Sequence, residues 1–326
     1  MKKIAGIQII VFCLIVVLSF GTVQNPFSSN YIDNLKQEAV TASKMSDPLY
    51  DEIVAAQKKY EEKPIDAVVD KVWKAIPGYN GIQVDVDASY KKMEEQGYFE
   101  QQKLVFKEVK PNVHLEDLPP APIYKGNPEK PMVTLLVNVA WGNEHLPTLL
   151  KIMNDQDVKS TFFLDGSWVK DNPKLAKMIK EEGHEIGNHA YSHPDMKQLS
   201  SARIQEELQK TNDVIHATLE VTPKWFAPPS GSFRQEVVEI ADSMNMHTIM
   251  WSVDTIDWRK PEPQTMVDNV LSKVHPGAMI LMHPTSSTAG GLEQLIIGLK
   301  AKGYQIGTVS HLMDESRLSF GVALDD

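Results

Sequence analysis

Between residues 133 and 308 the chain alternates short runs of apolar, β-forming residues with stretches of helical periodicity, and this alternation constrains its fold more than any other feature. Residues 133–139, 161–164, 184–186, 225–227, 247–253, 278–282 and 304–308 read as strands. Residues 173–182, 202–219, 263–274 and 292–302 read as the helices between them. Strands joined through helices pair in parallel, so an α/β fold is expected, its sheet either open or closed as a barrel. In both forms a functional site belongs at the carboxyl ends of the strands.

The pattern stops at a proline-dense stretch. Pro111, Pro119, Pro120, Pro122, Pro128 and Pro131 exclude regular helix and central strand, so residues 111–131 are expected to be an extended linker and a domain boundary, with the main domain at 132–326. Upstream, residues 51–110 read as a small α/β domain. Ile65, Val69, Val72 and Ile76 recur at helical spacing, Ile82, Val84 and Val86 alternate as in a strand, and Leu104, Phe106 and Val109 imply another strand.

The amino-terminal end predicts location. Lys2 and Lys3 precede an uncharged run over residues 4–23, long enough to span a hydrocarbon core of about 30 Å as a helix. Basic residues before the run and none after it until Lys36 place the remainder of the chain outside the cytoplasm. Residues 1–23 are therefore a signal anchor or a cleaved signal peptide, and residues 24–50, polar and weakly patterned, a juxtamembrane stalk. The expected location is extracytoplasmic, with the membrane engaged through this segment. The one cysteine, Cys13, falls inside the run, so the exported portion forms no disulfide. With 33 Lys and Arg against 43 Asp and Glu, a net charge of −10 and no basic run, the chain lacks the footprint of a nucleic-acid binder.

Several polar groups fall at predicted strand ends. His189 and His193 stand four residues apart, close enough to chelate one metal ion or to be two surface histidines. The spacing after His184-Glu185 is wrong for the zinc-protease helix, and nucleotide cradles and nucleophile elbows are absent from the sequence. Ser230, in the turn Pro228-Pro229-Ser230-Gly231, has no activating neighbour in sequence. What remains is metal-assisted hydrolysis.

The run from Gly183 to Pro194, which holds both histidines, resembles the second motif of the polysaccharide deacetylase family (the NodB homology domain, carbohydrate esterase family 4). The run Phe226 to Gly231 is similar to its third motif, Trp251 to Trp258 to its fourth, and Leu281-Met282-His283 to its fifth. The whole chain is similar to a sporulation-associated subgroup found in bacilli. This resemblance implies an irregular (β/α)7–8 TIM-like barrel acting on cell-wall N-acetylated glycan such as peptidoglycan. It makes His189 and His193 metal ligands and His283 the general acid, with Asp257 supporting it. Leu281 and Trp258, with the turn Pro228, Pro229, Ser230 and Gly231, become the substrate pocket.

The first motif departs from the family. Where members carry Thr-Phe-Asp-Asp-Gly, with a general base and a metal ligand, this chain has Asn138-Val139-Ala140-Trp141-Gly142, and Ala227 replaces the arginine that orients the base. Glu144, the carboxylate closest in sequence, either reaches the metal as a weak third ligand or complements a helix dipole. A divalent metal, zinc or cobalt, is thus expected to be weakly held or absent. Two readings stay open: a divergent, low-activity de-N-acetylase, or an inactive glycan-binding or scaffold protein of envelope or spore remodelling.

Overall fold

The computed structural model describes residues 47–317. The expected membrane segment and nearly all of the stalk lie outside them. Of the described residues, those up to Glu62 together with Ile82–Lys107 form one unit, and Lys63–Gly81 together with those from Glu108 onward form a second. Part of the span 51–110, expected to fold as one small domain, thus clusters with the larger unit.

The smaller unit holds helices α1 (Pro48–Tyr60) and α2 (Val86–Met93) around Leu49, Ile53, Val84, Met93 and Leu104. Asp47 and Asp85 cap the two helices, each accepting a backbone N–H of the first turn. In the larger unit, the helix implied by Ile65, Val69, Val72 and Ile76 does not form. Val68–Asp70 (β1) and Lys74–Ile76 (β2) make an antiparallel hairpin instead. Asp70 Oδ1 accepts from the N–H groups of Val72 and Trp73, closing the turn, and Val69 and Val72 are exposed. The apolar spacing was real but marked no buried face.

After β3 (Gly81–Val84) and β4 (Phe106–Val109), which pair with each other, the remaining strands are β5 (Met132–Val139), β6 (Thr161–Leu164), β7 (Glu185–Asn188), β8 (Trp225–Phe226), β9 (His247–Thr248), β10 (Val253–Asp254), β11 (Met279–Met282) and β12 (Gln305–Gly307). They form one parallel sheet in the order β10-β11-β5-β6-β7-β8-β9, with β12 also on β5. All eight residues of β5 are buried, as expected of a central parallel strand covered on both faces. The single strand expected at 247–253 is two, because Ile123 of the proline-rich stretch interposes: its N–H donates to the Thr248 carbonyl and its carbonyl accepts from Met250 N–H. This stretch is extended and hydrogen-bonded into the larger unit. Ile123 and Lys130 are buried, and the Lys130 ammonium donates to the carbonyls of His311 and Asp314.

Helices α3 (Leu146–Asp155), α5 (Pro173–Glu181), α8 (Pro263–Lys273) and α9 (Ser286–Ala301) pack their apolar residues against one side of the sheet; Leu149, Ile179, Val270 and Leu295 are fully buried there. The short α4 (Gly166–Asp171) follows β6. Helices α6 (Ser201–Leu219) and α7 (Gln235–Ser243) close a second cluster around Phe226 and Met246. A last turn, α10 (Val309–Met313), covers the amino-terminal ends of the strands through Val309, whose N–H reaches Thr161 Oγ1.

Candidate active site

The carboxyl ends of β5, β7, β8, β10 and β11 converge on a cavity of about 460 Å³. It brings together eight of the residues singled out in the sequence: Ala140, Trp141, His189, His193, Ser230, Trp258, Leu281 and His283. Asn138, Trp251 and Asp254 complete its lining. Pro228 and Pro229 are buried within their turn and do not reach the cavity. Gly231, at φ +66°, packs so closely that a Cβ would stand 2.7 Å from the Trp251 ring, so the turn closes against Trp251 and Ser230 is the one of its residues that lines the cavity.

His283 follows β11 and is held by a fully buried carboxylate. Its Nδ1–H donates to Asp257 Oδ1 at 2.8 Å and its backbone N–H donates to Oδ2 at 2.6 Å, while Thr288 Oγ1–H reaches Oδ2 at 2.7 Å. Three donors fix Asp257, Asp257 fixes the ring, and Nε2 is left to exchange a proton with a ligand. Asp254 lies nearby with Oδ1 accepting from Ile256 N–H; burial, then the Asp257 charge, pushes its pKa up.

His189 follows β7. Its Nδ1 lies 2.7 Å from the Ala227 carbonyl. Burial, and then the nearby His193, holds His189 down to about 3, so the neutral ring donates from Nδ1 and keeps a lone pair on Nε2. The ring centroids of His189 and His193 are 5.2 Å apart. The loop between them is pinned by Glu207, a fully buried carboxylate on α6 that accepts from Tyr191 N–H, Ser192 N–H and Ser192 Oγ–H, and pairs with Arg203. Ala190 and His193 take positive φ, a conformation this clamp maintains.

At the end of β5 the site changes character. Trp141 lies flat on His283, with centroids 5.8 Å apart and planes 8° from parallel. Gly142 at φ +85° permits this approach, since a Cβ there would meet the Pro284 carbonyl oxygen at 2.1 Å. Ala227 is buried against apolar neighbours. Glu144 is mostly exposed beside His145 and lies outside the cavity lining, at the approach to α3. Asp165, after β6, is buried and caps Trp168 N–H and Ser167 Oγ–H through Oδ1, leaving Oδ2 without a partner. Among the described residues no group of three His, Cys, Asp or Glu is placed to hold a metal ion. Hydrolytic zinc sites use three protein ligands, so the two imidazoles present do not fit a tightly held divalent ion.

The model of the polysaccharide deacetylase family matches residues 125–249. The chain is 56% identical over 308 residues to YlxY of Bacillus subtilis strain 168, covering 94% of this chain and 97% of that protein. It is 32% identical over 203 residues to the peptidoglycan-N-acetylmuramic acid deacetylase PdaA of the same organism, covering 60% of this chain and 76% of PdaA. The chain belongs to the polysaccharide deacetylase family. Among solved structures it is similar to a family pseudoenzyme from Bacillus anthracis, at 56% identity, with 84% of this chain and 97% of that one covered and a TM-score of 0.78. A mutant of that pseudoenzyme with restored enzymatic activity matches with the same identity and TM-score over 83% of this chain and all of that one. Within this deacetylase-family site, sequence reasoning found the histidines and Asp257 but missed Glu207 and Thr288. Glu207 carries a signal in hindsight: it sits on the buried stripe of α6 with Ile204, Leu208 and Thr211, where a carboxylate needs donors.

Proposed function

We propose that this chain is a cell-wall glycan-binding member of the polysaccharide deacetylase family that has lost the metal-and-base half of the hydrolytic site and retains the proton-donating half. The observation that carries this reading is the end of β5: Ala140 and Trp141 stand where the family carries two carboxylates, and the Trp141 indole covers one face of His283. Family resemblance assigns His283 as donor to a leaving amine, with Asp257 holding its ring. With neither a base nor a third metal ligand beside His189 and His193, water attacking an acetamido carbonyl has no activator. Loss of a positioned base alone typically costs about 10² to 10⁴ in rate.

Acetate release from chitooligosaccharide or peptidoglycan tests the reading. Wild type is expected to release acetate at no more than about 1% of the rate of Ala140→Asp/Trp141→Asp/Ala227→Arg, which restores base, ligand and orienting group. The restored activity of the B. anthracis mutant supports the expectation that this scaffold accepts such a rebuild. Equal turnover by wild type and the triple variant would refute it.

We also place the folded units outside the cytoplasm, on the evidence of the uncharged run 4–23 behind Lys2 and Lys3. Protease added to intact protoplasts is expected to remove a carboxyl-terminal tag; a protected tag rejects this topology.

A further inference from the structure

Indole faces and a carboxylate line the cavity. Three indoles line it, those of Trp141, Trp251 and Trp258. Asp254 adds a carboxylate that spends Oδ1 on a backbone N–H. His189, with Nδ1 committed to the Ala227 carbonyl, adds a further acceptor nitrogen. No lysine or arginine lines the cavity; Arg259 lies over the Trp258 ring, 4.6 Å from its centroid, and is not part of the lining.

An N-acetyl group brings one N–H, a carbonyl that itself needs a donor, and no charge. A primary ammonium brings three donors, no acceptor, and a positive charge that indole faces attract. Trp141 is 47% exposed despite its stack on His283, so the indole that replaces the family's carboxylate still offers surface to a ligand. We propose that this pocket selects the de-N-acetylated amino sugar, as its ammonium form, over the N-acetylated sugar, Trp141 and Asp254 making the distinction. The inference rests on the glycan-binding reading above and adds which glycan: the product of the family's chemistry in place of its substrate.

Calorimetric titration of the full-length chain with β-1,4-linked glucosamine disaccharide and with its di-N-acetyl counterpart, at slightly acid pH where the amine is charged, tests it. The amino sugar is expected to bind roughly tenfold more tightly or better, as one cation–π contact plus one charge-assisted hydrogen bond allows. Trp141→Ala and Asp254→Asn should each bring the ratio of the two affinities toward one. Equal or tighter binding of the N-acetylated sugar overturns the inference and leaves the glycan-binding reading standing. If neither sugar binds, that reading falls as well. A preference that persists in both variants comes from the acidic surface at large and also overturns the inference.

Discussion

Position 141 decides more of the chemistry than any other residue. An aspartate at the end of β5 would face His189 and His193 and supply the third ligand that an open zinc site needs, whereas the indole supplies none and occupies the face of His283. His189 is already prepared, because the Ala227 carbonyl holds its Nδ1–H as metal-binding histidines require. Trp141→Asp alone is therefore expected to raise zinc affinity by roughly tenfold or more, and adding His189→Ala to remove the gain. Competition with a chromophoric chelator measures both. Zinc binding that is indifferent to His189→Ala would show that the ion sits elsewhere. Glu144, the other carboxylate close in sequence, lies outside the cavity, so Glu144→Ala should leave that gain intact.

At the scale of elements, the segment 189–193 is held by what lies behind it. Glu207 spends its two oxygens on two loop N–H groups, the Ser192 hydroxyl and Arg203. Glu207→Ala leaves the Tyr191 and Ser192 N–H groups without their acceptor, at about 1–3 kcal/mol for each that stays buried. We expect a lower denaturation midpoint and greater amide exchange at residues 190–193, read by hydrogen exchange; unchanged exchange there would mean that the loop holds its own shape. The legibility of each element has the same physical origin. Strands such as Thr161–Leu164 and helices such as Pro173–Glu181 were legible because apolar runs and a proline at the first turn mark them locally. The hairpin of β1 and β2 was not, since its apolar spacing imitated a helix while Asp70 made the turn. The break between β9 and β10 was not, since Ile123, more than 120 residues earlier, makes the intervening hydrogen bonds. Of the site, the residues at strand ends were legible, and the partners that position them from distant helices, Glu207 and Thr288, were not.

For the molecule as a whole, the group with the clearest hold on stability lies remote from the cavity. His184 is 5% exposed, packs its ring 4.9 Å from that of Phe162, accepts from Ser160 N–H at Nδ1, and has no partner at Nε2. Burial, and then the Lys159 charge, lowers its pKa from 6.5 to about 4. The unfolded chain therefore takes up a proton below pH 6.5 that the folded chain refuses until about pH 4, and stability falls with pH across that window. At 1.36 kcal/mol per unit the full loss is about 3 kcal/mol, and the buried His189 pulls in the same direction. His184→Gln keeps an acceptor for Ser160 N–H and removes the titration. Urea unfolding between pH 6.5 and 4 should show wild type losing about 3 kcal/mol more than the variant, whatever their difference at neutral pH. Parallel pH dependences in the two proteins would mean that His184 meets water in the folded state. The region around β6 and β7 would then be looser than its packing implies.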